Sequence, residues 1–161
     1  MHFEILMDKK ENPRKCTIAP NKDRKDFQIR YFKRNMKIPA FQSEVLLHID
    51  GIPLQDLAAK NSIQSIGLID CTWKKVSGVL TRLEKPFPVL ASMPSGFLTA
   101  YPRKNLEGND PDGGLATIEA LFIAAAFCGH WDESLLEHYY FGKEFLRINE
   151  ALWEKYQLNK G

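Results

Sequence analysis

Apolar residues along this chain fall into short runs, and the runs differ in length and period. Phe3-Glu4-Ile5-Leu6-Met7 predicts a first strand, closed by Asp8 and a turn through Asn12 and Pro13. Residues 14–37 are polar with alternating charges and predict a loop with one short helix. Ile38-Pro39 breaks the chain, after which Glu44-Val45-Leu46-Leu47-His48-Ile49 predicts a second strand. Asp50-Gly51 makes a turn, and Pro53 to Lys60 fits a short amphipathic helix with proline early, where it is tolerated. Ile66-Gly67-Leu68-Ile69 has no polar alternation, the pattern of a strand buried on both faces of a parallel sheet. The run stops at Asp70. Asp70 or Thr72 is placed to cap a helix through about Leu83 that carries Trp73, Val76, Val79 and Leu80 inward.

Pro88-Val89-Leu90-Ala91 predicts a fourth strand. Ser92 to Gly114 is rich in Pro and Gly, and so long a loop inside a compact domain is functional or disordered. Leu115 to Phe127 is almost wholly apolar with Glu119 as its one charge, which predicts a helix buried in the core and stopped at Gly129. A buried helix that opens after a Gly-rich loop presents free backbone N–H groups above the sheet. Ser134 to Phe141 and Lys143 to Tyr156 predict two more helices, the last amphipathic through Phe145, Leu146, Asn149, Leu152, Trp153 and Tyr156. Strands alternating with helices give an α/β fold, a parallel sheet flanked by helices in a single domain over 1–161.

In open α/β sheets, ligands bind beyond the carboxyl ends of the strands. A carboxylate at that place, Asp70, can accept two hydrogen bonds from a ribose diol. Trp73 can wall the same crevice with an apolar face. A helix cap followed by a core tryptophan explains the same two residues.

Composition narrows the classes. The chain has 161 residues and a formal net charge of only +2. Residues 1–37 hold eleven Lys or Arg against five Asp or Glu, a local +6 that leaves −4 for the rest. A basic part over 1–40 beside a core over 41–161 suits a polyanion such as RNA, with Arg14, Lys15, Arg24 and Lys25 as candidate contacts. The long loop adds Tyr101, Arg103 and Lys104, an aromatic for stacking a base and two cations for phosphates. Cys16, Cys71 and Cys128 form no C-x-x-C pair, so neither a zinc knuckle nor a disulfide framework is indicated. There is no P-loop, no G-x-G-x-x-G and no G-x-S-x-G, and His2, His48, His130 and His138 have no obvious catalytic neighbour. The N-terminus lacks the pattern of a signal peptide and no apolar run is long enough to span a membrane, so the expectation is a cytoplasmic, reduced protein without a metal.

Asp70-Cys71-Thr72-Trp73 resembles the D-C-S-W motif of the ribosomal-RNA aminocarboxypropyltransferases of the SPOUT class. It also resembles the D-x-T-W signature of DTW-domain proteins, which place the same group on transfer-RNA uridine. Pro13-Arg14-Lys15-Cys16-Thr17 matches the D-P-K-K-C-T-G stretch of the ribosomal-RNA family, and Leu115-Ala116-Thr117-Ile118-Glu119-Ala120 matches the T-x-E-A helix start of both. Phe141-Gly142-Lys143-Glu144-Phe145 with Asn149 and Tyr156 resembles the W-G-x-x-F…N…Y pattern, with Phe141 where tryptophan is usual. Met93-Pro94-Ser95-Gly96-Phe97 replaces the family's N-P-V-N-Y-G loop, and the N-terminal cysteine cluster frequent in DTW proteins is absent, which favours the ribosomal branch.

The resemblance implies a SPOUT-like fold with a C-terminal trefoil knot that binds S-adenosylmethionine. It implies that Asp70 holds the ribose and that Trp73 packs beside the sulfonium methyl, making these two the catalytic candidates. Thr17 would reach the amino-acid end of the cofactor, while Leu90, Phe97, Leu115, Thr117 and Ala120 would enclose the adenine. The implied activity is transfer of the 3-amino-3-carboxypropyl group to a uridine or pseudouridine ring nitrogen in RNA, with small-subunit ribosomal RNA ahead of transfer RNA. A SPOUT methyltransferase and a non-catalytic RNA-binding ribosome-assembly protein are the rival readings.

Overall fold

The structure, a computed structural model, describes residues 1–10, 12–102 and 114–159. Five strands, β1 (His2–Asp8), β2 (Phe27–Phe32), β3 (Val45–Pro53), β4 (Ser65–Asp70) and β5 (Val89–Ser92), form one sheet in the order β2-β1-β4-β3-β5. Every pairing is parallel, so all five carboxyl ends lie along one edge. The unbroken apolar run is the central strand, and Ile66, Gly67 and Leu68 are buried as its pattern predicts. Gly67 is required by close packing: a Cβ there would stand 2.5 Å from Ser43 Oγ and 2.8 Å from Phe41.

Side chains alternate between two helical layers. Ile5, Ile66 and Leu68 point into the main core with α1 (Leu54–Lys60) and α3 (Thr117–Phe127). Leu6, Leu46 and Ile69 point to the other face, where Val79 and Leu83 at the end of α2 (Trp73–Arg82) cover them. α3 is the buried helix expected, opening at Thr117 rather than Leu115, with all but three of its residues inaccessible.

Four elements differ from the sequence reading. β2 occupies part of the segment expected as loop and short helix, and the only helical turns there are the 3₁₀ turns Pro13–Lys15 and Ala19–Asn21. A charge at a core-facing position disguises the strand. Arg30 Nη2 lies 2.9 Å from Oε1 of Glu4, which is 1% exposed, and Arg30 Nη1 donates to Pro39 O. The other oxygen of Glu4 accepts the N–H groups of Gln42 and Ser43, so both oxygens of the buried carboxylate have partners. β3 runs on to Pro53 through a register shift between Leu47 and Ile52, and Pro53 precedes α1 rather than starting it.

The helix expected over Ser134–Phe141 is only a 3₁₀ turn, Glu133–Leu136. The helix expected over Lys143–Tyr156 is two, α4 (Gly142–Ile148) and α5 (Glu150–Lys155). The break is at Asn149, whose Oδ1 accepts Leu98 N–H at 2.8 Å while Nδ2 donates to Leu98 O and Phe145 O, both at 2.9 Å. An amide that binds both polar groups of a distant residue outweighs one turn of helix continuity. α4 and α5 also supply Phe145 and Trp153 to an aromatic cluster with Phe97 and Phe122.

A carboxylate, a hydroxyl and a tryptophan at the sheet's carboxyl edge

β4 ends at Asp70, and parallel pairing aligns that residue with Met7 of β1. Its side chain falls on the α3 side of the sheet, where Oδ1 accepts a hydrogen bond of 2.9 Å from Thr117 Oγ1, on the first residue of α3. Oδ2 lies 3.9 Å from the Cys16 thiol. Thr72 is the N-cap of α2 and makes no side-chain cap bond, while Asp70 makes a tertiary contact with the start of α3. Thr17, the next residue, accepts the N–H of Ile118 at 3.2 Å. A hydroxyl from a distant segment thus takes one of the orphan donors of α3, whose own N-cap is Ala116, a residue with no side-chain acceptor.

Beside this pair opens a cavity of about 190 Å³. Of the residues expected to hold a cofactor, Asp70, Trp73, Leu115, Thr117 and Ala120 line it together. Trp73 is 37% exposed and faces the cavity rather than the core, correcting its inward placement; Val79 is the residue of α2 that is fully buried, with Val76 and Leu80 half-buried. Three expected residues do not line it. Leu90 packs on the α2 side of the sheet. Phe97 is core, its ring 4.7 Å from that of Trp153. Thr17 is turned to α3, where its hydroxyl accepts the Ile118 N–H.

Sequence reasoning missed the wall made by Leu47, His48 and Ile49. These residues sit where β3 departs from regular pairing with β5, and bulges at strand ends re-aim side chains toward sites. Gly51 makes the departure possible, because a Cβ there would stand 2.4 Å from Ala91 N. His48 Nδ1 accepts the Asp50 N–H at 3.1 Å, which places the proton of a neutral imidazole on Nε2. Ser92 and Met93, at the end of β5, complete that side of the cavity. A register shift has no sequence signal at this length, whereas the Asp50-Gly51 turn pair marks its position.

The candidate RNA residues divide. Arg14, Lys15 and Lys25 are exposed, and the turn carrying Arg14 and Lys15 leads directly into Cys16 beside Asp70. Tyr101 is half-buried with its ring edge-on to Phe141, outside the cavity. Arg103 and Lys104 lie outside the described residues.

Arg24 is committed within the fold. Its guanidinium binds both carboxylate oxygens of Asp26 and reaches Asp132 at 3.1 Å and Ser134 Oγ at 2.9 Å, fastening the approach to β2 to the turn after α3. Burial alone would raise the Asp132 carboxyl, but bonds from Ser134 and Arg24 hold it below its ordinary 3.8. A depressed folded value means the clasp contributes fully above the ordinary value and loses its contribution as pH falls below it. Arg24→Ala should therefore cost about 1 kcal/mol or less at neutral pH, as an exposed pair does. The difference from the parent should shrink in strong acid. Urea melts at both pH values check this, and a difference that persists undiminished in acid would assign the loss to the Arg24–Phe27 contact instead.

No protein-family model matches the sequence, and no curated protein does. Among solved structures, the fold is similar to that of the SAM-dependent rRNA:acp-transferase Tsr3 from Vulcanisaeta distributa. The TM-score is 0.66 and the sequence identity 22%, over 96% of this chain and 82% of that chain.

Proposed function

We propose that this chain transfers the 3-amino-3-carboxypropyl group of S-adenosylmethionine to a uridine or pseudouridine ring nitrogen in RNA, ribosomal RNA in first place. The observation that carries the reading is the convergence of Asp70, Thr117 and Trp73 on one cavity at the carboxyl edge of a fold similar to that of an rRNA acp-transferase. The SPOUT assignment, the C-terminal trefoil knot and a cytoplasmic location belong to the same proposal.

The donor set fits the cofactor. A nucleoside sulfonium needs an acceptor for its ribose diol, apolar walls for its base and a face that covers the methyl without bonding to it. Asp70 is the acceptor, oriented by the Thr117 hydroxyl that already occupies Oδ1. Leu115, Ala120 and Met93 are the apolar walls, and the half-exposed indole of Trp73 is the cover. The bound cofactor supplies a carbon that forms the new bond to the ring nitrogen as its bond to sulfur breaks, releasing methylthioadenosine and the nitrogen's proton. The chain's part is orientation: Trp73 would cover the methyl, so that the aminocarboxypropyl carbon would be the one open to the ring nitrogen. Holding reactants so aligned supplies several kcal/mol of a barrier. Asp70, occupied by hydroxyls, positions rather than abstracts the proton.

Incubation with S-adenosylmethionine and ribosomal RNA, followed by nucleoside mass spectrometry, tests the reading. The expected product carries the aminocarboxypropyl mass. A methyl adduct would make the chain a methyltransferase with the cofactor turned. RNA binding without cofactor binding would make it a non-catalytic assembly protein.

A further inference from the structure

α2 has a second working face. At about 100° per residue, Lys75, Gly78 and Arg82 fall within about 60° of one another, while Trp73 lies roughly opposite them. These three border a second concavity, of about 720 Å³, at the carboxyl ends of β1 and β2. Six cations line it: Lys9, Lys10, Lys33, Arg34, Lys75 and Arg82. Among the described residues the one carboxylate there, Asp8, is 5% exposed, accepts the Lys10 N–H at 3.0 Å and pairs with the Lys75 ammonium. Arg82 is spent on architecture, donating to the carbonyls of Lys33 at 2.8 Å and Met36 at 3.2 Å and so holding the turn after β2 in place. Lys9, Lys33 and Arg34 are exposed and form no ion pair with any described carboxylate. Gly78 is open: nothing lies within 4 Å of where its Cβ would be. Packing therefore does not ask for glycine there, and in a helix interior it costs about 1 kcal/mol against alanine.

We propose that this groove binds the sugar-phosphate backbone of single-stranded RNA and delivers a flanking strand to the cofactor cavity. The inference rests on the RNA-modifying reading above. Cations on three separate elements, facing an open floor, suit a run of phosphates rather than one convergent phosphate. α2 forms the partition between the two sites, with Trp73 in the cavity and Lys75 and Arg82 in the groove. From Trp73 to Arg82 the helix rises about 13 Å, enough to track more than one nucleotide. Enzymes that act on a base take it from a single strand or out of its stack, so the strand beside the target needs such a backbone track.

The test is the salt dependence of binding a single-stranded oligoribonucleotide, with the full chain and S-adenosylmethionine binding measured alongside. Lys9→Ala, Lys33→Ala and Arg34→Ala together should reduce the slope of log affinity against log salt by about 2, at about 0.7 per lost contact. Gly78→Glu, which helix propensity favours, should also weaken RNA binding by placing a carboxylate on the floor. Neither variant should change cofactor affinity. Parental slope and affinity in both variants would overturn the groove, while aminocarboxypropyl transfer by the parent would keep the functional reading. A reduced slope in a protein that transfers nothing would keep the groove and remove that reading.

Discussion

Asp70→Asn should bind S-adenosylmethionine about 10–150-fold more weakly than the parent while remaining folded. The amide keeps an oxygen for the Thr117 hydroxyl, so the contact between β4 and α3 survives. It loses the charge and replaces one carboxylate oxygen by an N–H donor group that cannot accept a ribose hydroxyl. Hydrogen bonds to charged groups contribute about 1.5–3 kcal/mol, which gives the stated range of affinity. Calorimetry on the variant, with a urea melt to confirm the fold, is the measurement. Unchanged affinity would reduce Asp70 to an anchor for α3 and would leave the cavity without its ribose acceptor.

A larger effect on stability is expected at Glu119. Its carboxylate is fully buried and accepts four hydrogen bonds: Thr99 Oγ1 and Ala116 N–H on Oε2 at 2.7 and 2.8 Å, Ala100 N–H and Tyr139 Oη on Oε1 at 2.9 and 2.8 Å. Glu119→Ala takes the acceptor from two backbone donors and two hydroxyls, with Ala116 and Tyr139 buried and Thr99 and Ala100 half-buried, at about 1–3 kcal/mol for each buried group left unmade. The hydroxyls can turn to other partners, so the expected loss is about 4 kcal/mol rather than the full sum. Glu119→Gln, which keeps one oxygen, should fall between the two. Denaturant unfolding decides the matter; a loss below about 1 kcal/mol would mean that water replaces the carboxylate and that the segment around Thr99 is held by other contacts.

How far the sequence leads depends on whether a residue's partner is near it in the chain. β4 and α3 were legible because their burial is written in their own residues, Ile66 to Leu68 and Ile118 to Ala126. β2 was not, because Arg30 is held at its half-buried position by residues distant in sequence, Glu4 on the neighbouring strand and the Pro39 carbonyl. The break at Asn149 was hidden for the same reason: its cause is Leu98, 51 residues away. Within the site, Asp70 is marked by the end of an apolar run. The resemblance brought in Thr117 and Ala120 beside it, and also Leu90 and Phe97, whose side chains turn out to face the two cores. Phe97 stands in the stretch that departs from the family's loop. His48 needed the register shift of β3 to reach the cavity, and Thr17 needed the arrival of Ile118 to become a cap.

The four bonds of Glu119 also act on chain topology. Thr99 and Ala100 precede the stretch between Pro102 and Gly114, and Ala116 follows it, so one side chain clasps both ends of that insertion. An insertion whose ends are already joined meets only the slow logarithmic closure cost, about 0.6 kcal/mol for each doubling of its length. The side chain works as a staple between Thr99 and Ala100 on one side and Ala116 on the other, fixing the start of α3 by bonds that belong to the frame around that stretch.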